Sequence, residues 1–111
     1  MTTPSMTAVV ADDSRLSRKF LCDVMTELDV RVVGEAASGD EAIDLCRKFK
    51  PDLVLVDASM PGPSPQVLVT AIRSVSPGTR VISTQGRDRE SLLTEVRDYL
   101  IEHARLRSRA N

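Results

Sequence analysis

Leu53-Val54-Leu55-Val56-Asp57 is the most apolar stretch of the chain, and it stops at a carboxylate. A second apolar run, over residues 6–11, stops in the same way at Asp12-Asp13. Apolar runs without alternation are typical of strands that are covered on both faces, as in parallel sheets. If the two runs are neighbouring parallel strands, all three carboxylates gather at the carboxyl edge of one sheet. Open α/β sheets bind their ligands at that edge.

Three carboxylates that lie this close repel one another unless a cation joins them. Hard oxygen ligands suit Mg2+, so Asp12, Asp13 and Asp57 are candidate metal ligands. A carboxylate beside bound Mg2+ is well placed to accept a phosphoryl group, because the metal neutralises charge on the transferring oxygens. The structural alternative is that Asp12 or Asp13 caps the first helix, where negative charge is favourable.

The rest of the sequence alternates between strand and helix patterns, which indicates an α/β architecture with a parallel sheet. We predict strands over 7–11, 30–36, 53–56 and from 80 to 83 or 84. Helices are predicted over 14–28, from a capping box at 38–41 to about 49, from 64 to 75, and over 88–107. In the first helix the apolar positions Leu16, Phe20, Val24 and Leu28 recur every four residues, with Leu21 and Met25 alongside. In the third helix we predict a buried stripe of Val67, Leu68, Ala71, Ile72 and Val75.

Length and charge exclude several classes of protein. A chain of 111 residues is expected to form one domain, here 1–111 with a flexible N-terminus over 1–5. A formal net charge of -1 gives no reason to expect binding to nucleic acid or to a membrane. No apolar run approaches the ~20 residues of a membrane span, and the N-terminus lacks a signal-peptide pattern. Cys22 and Cys46 have no metal-binding spacing with His103. We therefore expect a cytoplasmic protein.

Short motifs in a fixed order then point to one family. They are Val9-Val10-Ala11-Asp12-Asp13-Ser14, Gly34-Glu35-Ala36, Gly39-Asp40-Glu41-Ala42, Pro51-Asp52-Leu53-Val54-Leu55-Val56-Asp57 and Met60-Pro61-Gly62. Over residues 6–84 the chain resembles the receiver domain of two-component response regulators of the chemotaxis-regulator type. The resemblance implies a flavodoxin-like, doubly wound parallel sheet of order 2-1-3-4-5.

The resemblance also implies roles for particular residues. Asp57 would be the phosphoacceptor. It would receive the phosphoryl group from a sensor histidine kinase, a phosphotransfer protein or a small acyl phosphate. Asp12 and Asp13 would hold Mg2+, and the backbone carbonyl of Ser59 would complete the protein ligands. Thr84 would be the switch hydroxyl, unless Gln85 occupies that position and the hydroxyl is lost. Such a protein signals through protein contacts and is not an enzyme.

The chain departs from the family pattern after the fourth strand. The family has a Lys after a fifth strand, whereas the lysines here are Lys19, Lys48 and Lys50. The sequence from Arg87 onward resembles the family's last helix, which indicates that the fourth helix and fifth strand are missing. We therefore predict a sheet of order 2-1-3-4 with four helices. Arg87 or Arg89 is then the candidate source of positive charge.

A sheet that ends at strand four has an uncovered edge, which invites pairing with a second chain. The short connection before the last helix also favours exchange of that helix between protomers. The sequence thus predicts a homodimer, with or without an exchanged terminal helix. Two functions remain open: a receiver that is phosphorylated on Asp57, and a non-phosphorylated pseudo-receiver that acts as a dimerisation or partner-binding module.

Overall fold

The computed structural model of the chain describes the backbone of residues 6–110 and the side chains of residues 6–103. The predicted flexible segment 1–5 lies outside this range. Four strands and four helices alternate along the described residues. They are β1 (Thr7–Ala11), α1 (Arg15–Glu27), β2 (Arg31–Ala36), α2 (Gly39–Phe49), β3 (Leu53–Val56), α3 (Pro65–Val75), β4 (Arg80–Ser83) and α4 (Arg89–Ala110).

The strands form one parallel sheet in the order β2-β1-β3-β4. This confirms the predicted flavodoxin-like order 2-1-3-4 with four helices. Ala11 pairs with Val56 in the register of β1 and β3, so these two strands end at the same level. Within the described residues β4 pairs with β3 alone, and its other side is an edge of the sheet.

Side chains that alternate along the strands form two cores, one on each face of the sheet. On one face, strand residues such as Val10 and Leu55 pack against α1 and α4. On the other face, strand residues such as Val9 and Val54 pack against α2 and α3. Because both faces are covered, the central strands β1 and β3 carry no polar alternation, as the apolar runs predict.

Serine caps set the beginnings of three helices. The hydroxyls of Ser14, Ser38 and Ser64 accept hydrogen bonds from the backbone N–H three residues later, at 3.3 to 3.4 Å. At Ser38 the hydroxyl also donates to Glu41 Oε1 at 3.3 Å, so the predicted capping pair is present. These caps satisfy helix N–H groups that have no partner within the helix.

Only some of the apolar positions that define the predicted pattern on α1 face the core. Leu16 is 81 % exposed and Phe20 is 40 % exposed, whereas Leu21, Val24 and Met25 are buried. Two adjacent stripes share Val24, and periodicity alone cannot tell which of them faces the sheet. Val67, in the first turn of α3, is also exposed, while Leu68 and Ile72 are buried.

The terminal helix α4 begins at Arg89 and packs on the α1 side of its own sheet. Leu92 and Val96 are buried there, and Tyr99 Oη donates a hydrogen bond to the Asp52 carbonyl at 3.1 Å. The helix runs to Ala110, beyond the predicted end at 107. None of the helices in the described part of the chain has both the length and the apolar character that crossing a membrane requires.

Candidate functional site

The three aspartates lie together at the carboxyl edge of the sheet. Asp57 N–H donates to the Ala11 carbonyl at 2.9 Å, and Asp12 N–H donates to the Ala36 carbonyl at 3.0 Å, so both residues extend the strand ladder. One carboxylate oxygen from each of Asp12, Asp13 and Asp57 lies within 4.8 Å of the others. The predicted clustering is therefore present, and the donor set is one that a hard divalent cation prefers.

The three carboxylates differ in exposure: Asp12 is only 4 % exposed, Asp57 is half-buried and Asp13 is exposed. Burial is the main cause that raises the pKa of Asp12 above its ordinary value of 3.8. The Ser14 N–H, which donates to Asp12 Oδ1 at 2.8 Å, opposes this rise, and the charges of Asp57 and Asp13 add to it. A cation at this position would favour the ionised form of Asp12.

The alternative that Asp12 or Asp13 only caps α1 is not supported. Ser14 is the residue at the N-cap, and its hydroxyl accepts from Ser17 N–H. Arg18, one turn into the helix, donates from Nη1 to the Asp12 carbonyl oxygen at 2.8 Å. Sequence analysis missed Arg18, although its position one turn after the cap could have placed it near the end of β1.

Asp57 is oriented by the turn that follows it. Ser59 donates to Asp57 Oδ1 from its backbone N–H at 3.0 Å and from its hydroxyl at 2.8 Å. Among the described residues no hydrogen bond engages Asp57 Oδ2, which leaves that oxygen available for chemistry. This role of the Ser59 side chain was not anticipated. The assignment of the Ser59 carbonyl as a metal ligand stays a prediction.

The loop after the turn is held against the start of α2. Gly39 N–H donates to the Pro61 carbonyl at 3.1 Å. Gly62 has a φ of +120°, and a Cβ there would lie 3.3 Å from the Gly39 nitrogen. Both the backbone conformation and the close approach require glycine. The loop beside Asp57 is therefore fixed in place.

Thr84 lies at the end of β4 beside the acidic cluster. Its N–H donates to the Val56 carbonyl at 2.9 Å, and its hydroxyl is 3.4 Å from the same oxygen. A cleft of about 170 Å³ is lined by Asp12, Thr84 and Arg87, together with Ser17, Phe20, Leu21 and Leu92. Gln85 is exposed and is not among these lining residues. Thr84 is thus the one of the two that lines the cleft, and its role as the switch hydroxyl stays a prediction.

The two candidate arginines, Arg87 and Arg89, have different partners and lie at different places. Arg89 pairs with Glu27 on α1. Arg87 lines the cleft that contains Asp12, and its Nη1 is 2.6 Å from Glu95 Oε1. Arg87 Nε also donates to Ser91 Oγ at 3.0 Å. Of the two, Arg87 is the cation beside the cleft.

Comparisons with known proteins agree with this geometry. The family model for the response regulator receiver domain matches residues 8–102. Protein CcdB of Bacillus subtilis is 30% identical over 99 residues, covering 85% of this chain and 82% of that protein. The chemotaxis protein CheY of Thermotoga maritima is 25% identical with the same coverage of both chains.

A solved structure agrees as well. The signal receiver domain of NarL from Mycobacterium tuberculosis superposes with a TM-score of 0.75 at 28% identity, over 86% of this chain and 96% of that one. The family match extends into α4, as far as residue 102, and includes the strands that carry the acidic cluster. This chain belongs to the response regulator receiver domain family.

Proposed function

We propose that this receiver domain accepts a phosphoryl group on Asp57, with Mg2+ held by Asp12 and Asp13, and signals through protein contacts. The observation that carries the proposal is the approach of the three carboxylates to within 4.8 Å at the carboxyl edge of the sheet. The raised pKa of the buried Asp12 adds to it, because an ionised carboxylate in this position requires a compensating charge.

The chemistry follows from the orientation of Asp57. With an acyl phosphate as donor, a bond forms from Asp57 Oδ2 to phosphorus while the bond from phosphorus to the acyl oxygen breaks. The carboxylate of the donor leaves with the electron pair. Ser59 holds Oδ1 through two hydrogen bonds and so fixes the direction of Oδ2. When bound, Mg2+ supplies positive charge to the transferring oxygens.

Other residues of the site would act on the product. Thr84, which lines the cleft beside Asp12, would donate a hydrogen bond from its hydroxyl to a phosphoryl oxygen. The Ser59 carbonyl would complete the metal ligands. The phosphoryl donor in the cell would be a sensor histidine kinase or a phosphotransfer protein. The domain would act in the cytoplasm, as a signalling module and not as an enzyme.

Intact mass after incubation with acetyl phosphate tests the proposal, with and without Mg2+. We expect a Mg2+-dependent phosphoryl adduct on the unaltered chain and none on Asp57→Asn. Asp29→Asn is the matched control. Asp29 has a φ of 60°, which Asn also tolerates. Asp29 also follows α1, whereas Asp12 and Asp13 precede that helix. An adduct on Asp57→Asn, or none on the unaltered chain with Mg2+ bound, contradicts the proposal.

A pseudo-receiver that acts by dimerisation is the second candidate, and the edge at β4 favours it. In a parallel sheet alternate residues point their backbone groups to opposite sides. Arg80 N–H and Thr84 N–H donate to carbonyls on the β3 side, so the residues between them alternate in direction. Val81 and Ser83 therefore present their backbone N–H and C=O groups to the open edge. Since α4 packs on its own sheet, a homodimer through this edge does not require exchange of the terminal helix.

Light scattering at micromolar concentration tests the homodimer. A dimeric mass for both the unaltered chain and Asp57→Asn would support the second candidate. A monomer would count against it.

A further inference from the structure

Arg87 lies between two cavities, and it is the one described residue that lines both. The first is the cleft of about 170 Å³ that contains Asp12 and Thr84. The second is a groove of about 680 Å³ between Arg80 at the start of β4 and the α4 residues that form most of its lining, Glu95 and Tyr99 among them. A movement of this side chain therefore changes the cleft beside Asp12 and the groove together.

In the present structure Arg87 is bound on the groove side. Its guanidinium pairs with Glu95 at 2.6 Å and donates to Ser91 Oγ at 3.0 Å, to the Ser91 carbonyl at 3.2 Å and to the Ser83 carbonyl at 3.3 Å. The side chains of Arg87 and Glu95 are 27% and 31% exposed. Glu95 has a second, longer contact with Arg80 at 3.9 Å. Glu95 therefore keeps a basic neighbour if Arg87 leaves.

Phosphorylation would change the charge on the cleft side. A phosphoryl group carries about two negative charges. With the carboxylates of Asp12 and Asp13, the site would hold about four negative charges against the two positive charges of Mg2+. A planar guanidinium binds phosphate oxygens through two parallel hydrogen bonds, and charge-assisted bonds of this kind are stronger than neutral ones. Arg87 is the basic residue that lines this cleft.

The segment that carries Arg87 can accommodate such a movement. Arg87 follows Gly86, which has a φ of +71° and no neighbour within 4 Å of a Cβ built there. Arg87 N–H donates to the Thr84 carbonyl at 3.2 Å, so the segment is a turn, and α4 begins only at Arg89. A turn of the guanidinium from the groove towards the cleft breaks its contacts with Glu95, Ser91 and the Ser83 carbonyl, but none of these is a backbone hydrogen bond of the sheet or of α4.

We infer that Arg87 exchanges Glu95 for the phosphoryl group on Asp57, so that phosphorylation releases Glu95 on α4. This inference rests on the proposed function. In this inference Arg87, a residue of the turn between β4 and α4, couples the acidic site to α4. The inference also predicts that Glu95 competes with the phosphoryl group for Arg87.

The test is the affinity for beryllofluoride, a phosphoryl mimic, at saturating Mg2+, followed by the backbone amide NMR signals of Ala58 and Gly86. We expect Arg87→Gln to weaken binding about tenfold, the scale of one charge-assisted hydrogen bond. We expect Glu95→Gln to strengthen binding about threefold, because a competing partly exposed ion pair is removed. Arg89→Gln is the matched control, since Arg89 pairs with Glu27 instead, and it should leave binding unchanged.

The opposite effects of Arg87→Gln and Glu95→Gln on beryllofluoride affinity distinguish exchange from an ion pair that is merely structural. Without ligand, both Arg87→Gln and Glu95→Gln should lower the melting temperature, because each variant loses the ion pair between Arg87 and Glu95. If both variants also weaken beryllofluoride binding, or neither changes it, the exchange is refuted while the proposed function survives. If the unaltered chain binds Mg2+ but not beryllofluoride, the proposed function itself fails, and the exchange fails with it.

Discussion

At the scale of single residues, Asp12 shows how packing and charge oppose each other. Its side chain is almost fully buried at the end of β1, and this burial is the first cause of its raised pKa. The folded state therefore binds a proton more tightly than the unfolded chain does. The free energy of unfolding therefore falls as pH rises from 3.8, the ordinary pKa, through the raised pKa of the folded state. Above that raised pKa Asp12 is ionised in both states, and the whole of this decrease is present.

We therefore predict that Asp12→Asn raises the melting temperature at pH 7.5 in the presence of a chelator. The amide oxygen retains an acceptor for the Ser14 N–H, while the buried charge is removed. Mg2+ should stabilise the unaltered chain and have little effect on the variant. Calorimetry with and without Mg2+ measures both effects. A variant that is less stable than the unaltered chain under chelator would show that the buried charge carries no cost.

Sequence reasoning located Asp12, Asp13 and Asp57 because they follow apolar runs, and strand ends share one edge of a parallel sheet. Thr84 was expected only from the resemblance to the receiver family. It did not locate Arg18, whose contact with the Asp12 carbonyl depends on the direction of a helical side chain. Nor could it choose between Arg87 and Arg89, because the choice is made by the partners Glu95 and Glu27 on different helices.

At the scale of elements, the caps and proline positions were predictable because they are local. Ser64 caps α3 and Pro65 follows it at the first turn, where proline needs no N–H partner. The buried face of α1 was not predictable, because Leu16-Phe20 and Leu21-Met25 are both compatible with a helical period. Tertiary packing selects the second pair.

A pair of truncations on α1 tests this assignment of the buried face. Leu21→Ala removes a buried side chain and should cost about 2–5 kcal/mol of the free energy of unfolding. Leu16→Ala removes an exposed one and should change it by less than about 0.5 kcal/mol. Urea unfolding of the two variants beside the unaltered chain gives both values. Equal losses would mean that Leu16 is covered.

At the scale of the whole molecule, α4 joins distant parts of the sheet. Its buried Leu92 and Val96 belong to the same core as α1, while Tyr99 reaches the Asp52 carbonyl just before β3. His103 Nε2 lies 4.0 Å from Asp52 Oδ1, and its ring is 5.3 Å from that of Tyr99. The helix is therefore attached near both ends of the strands.

We expect Tyr99→Phe to lower the free energy of unfolding by about 1 kcal/mol, because it removes the hydrogen bond to the Asp52 carbonyl and keeps the ring. Hydrogen exchange of α4 amides should rise more than that of α2 amides, since α2 packs on the opposite face. Uniform acceleration in both helices would mean that α4 has no local opening of its own.

The position of β1 has a consequence for synthesis of the chain. β1 pairs with β2 on one side and with β3 on the other, so the first strand to be made is completed only when residues 53–56 are available. Until then the apolar run Ala8 to Ala11 lacks one neighbour and part of the core that covers it. During translation the nascent chain therefore carries an incompletely paired strand, which leaves it open to aggregation and to chaperone binding until β3 emerges.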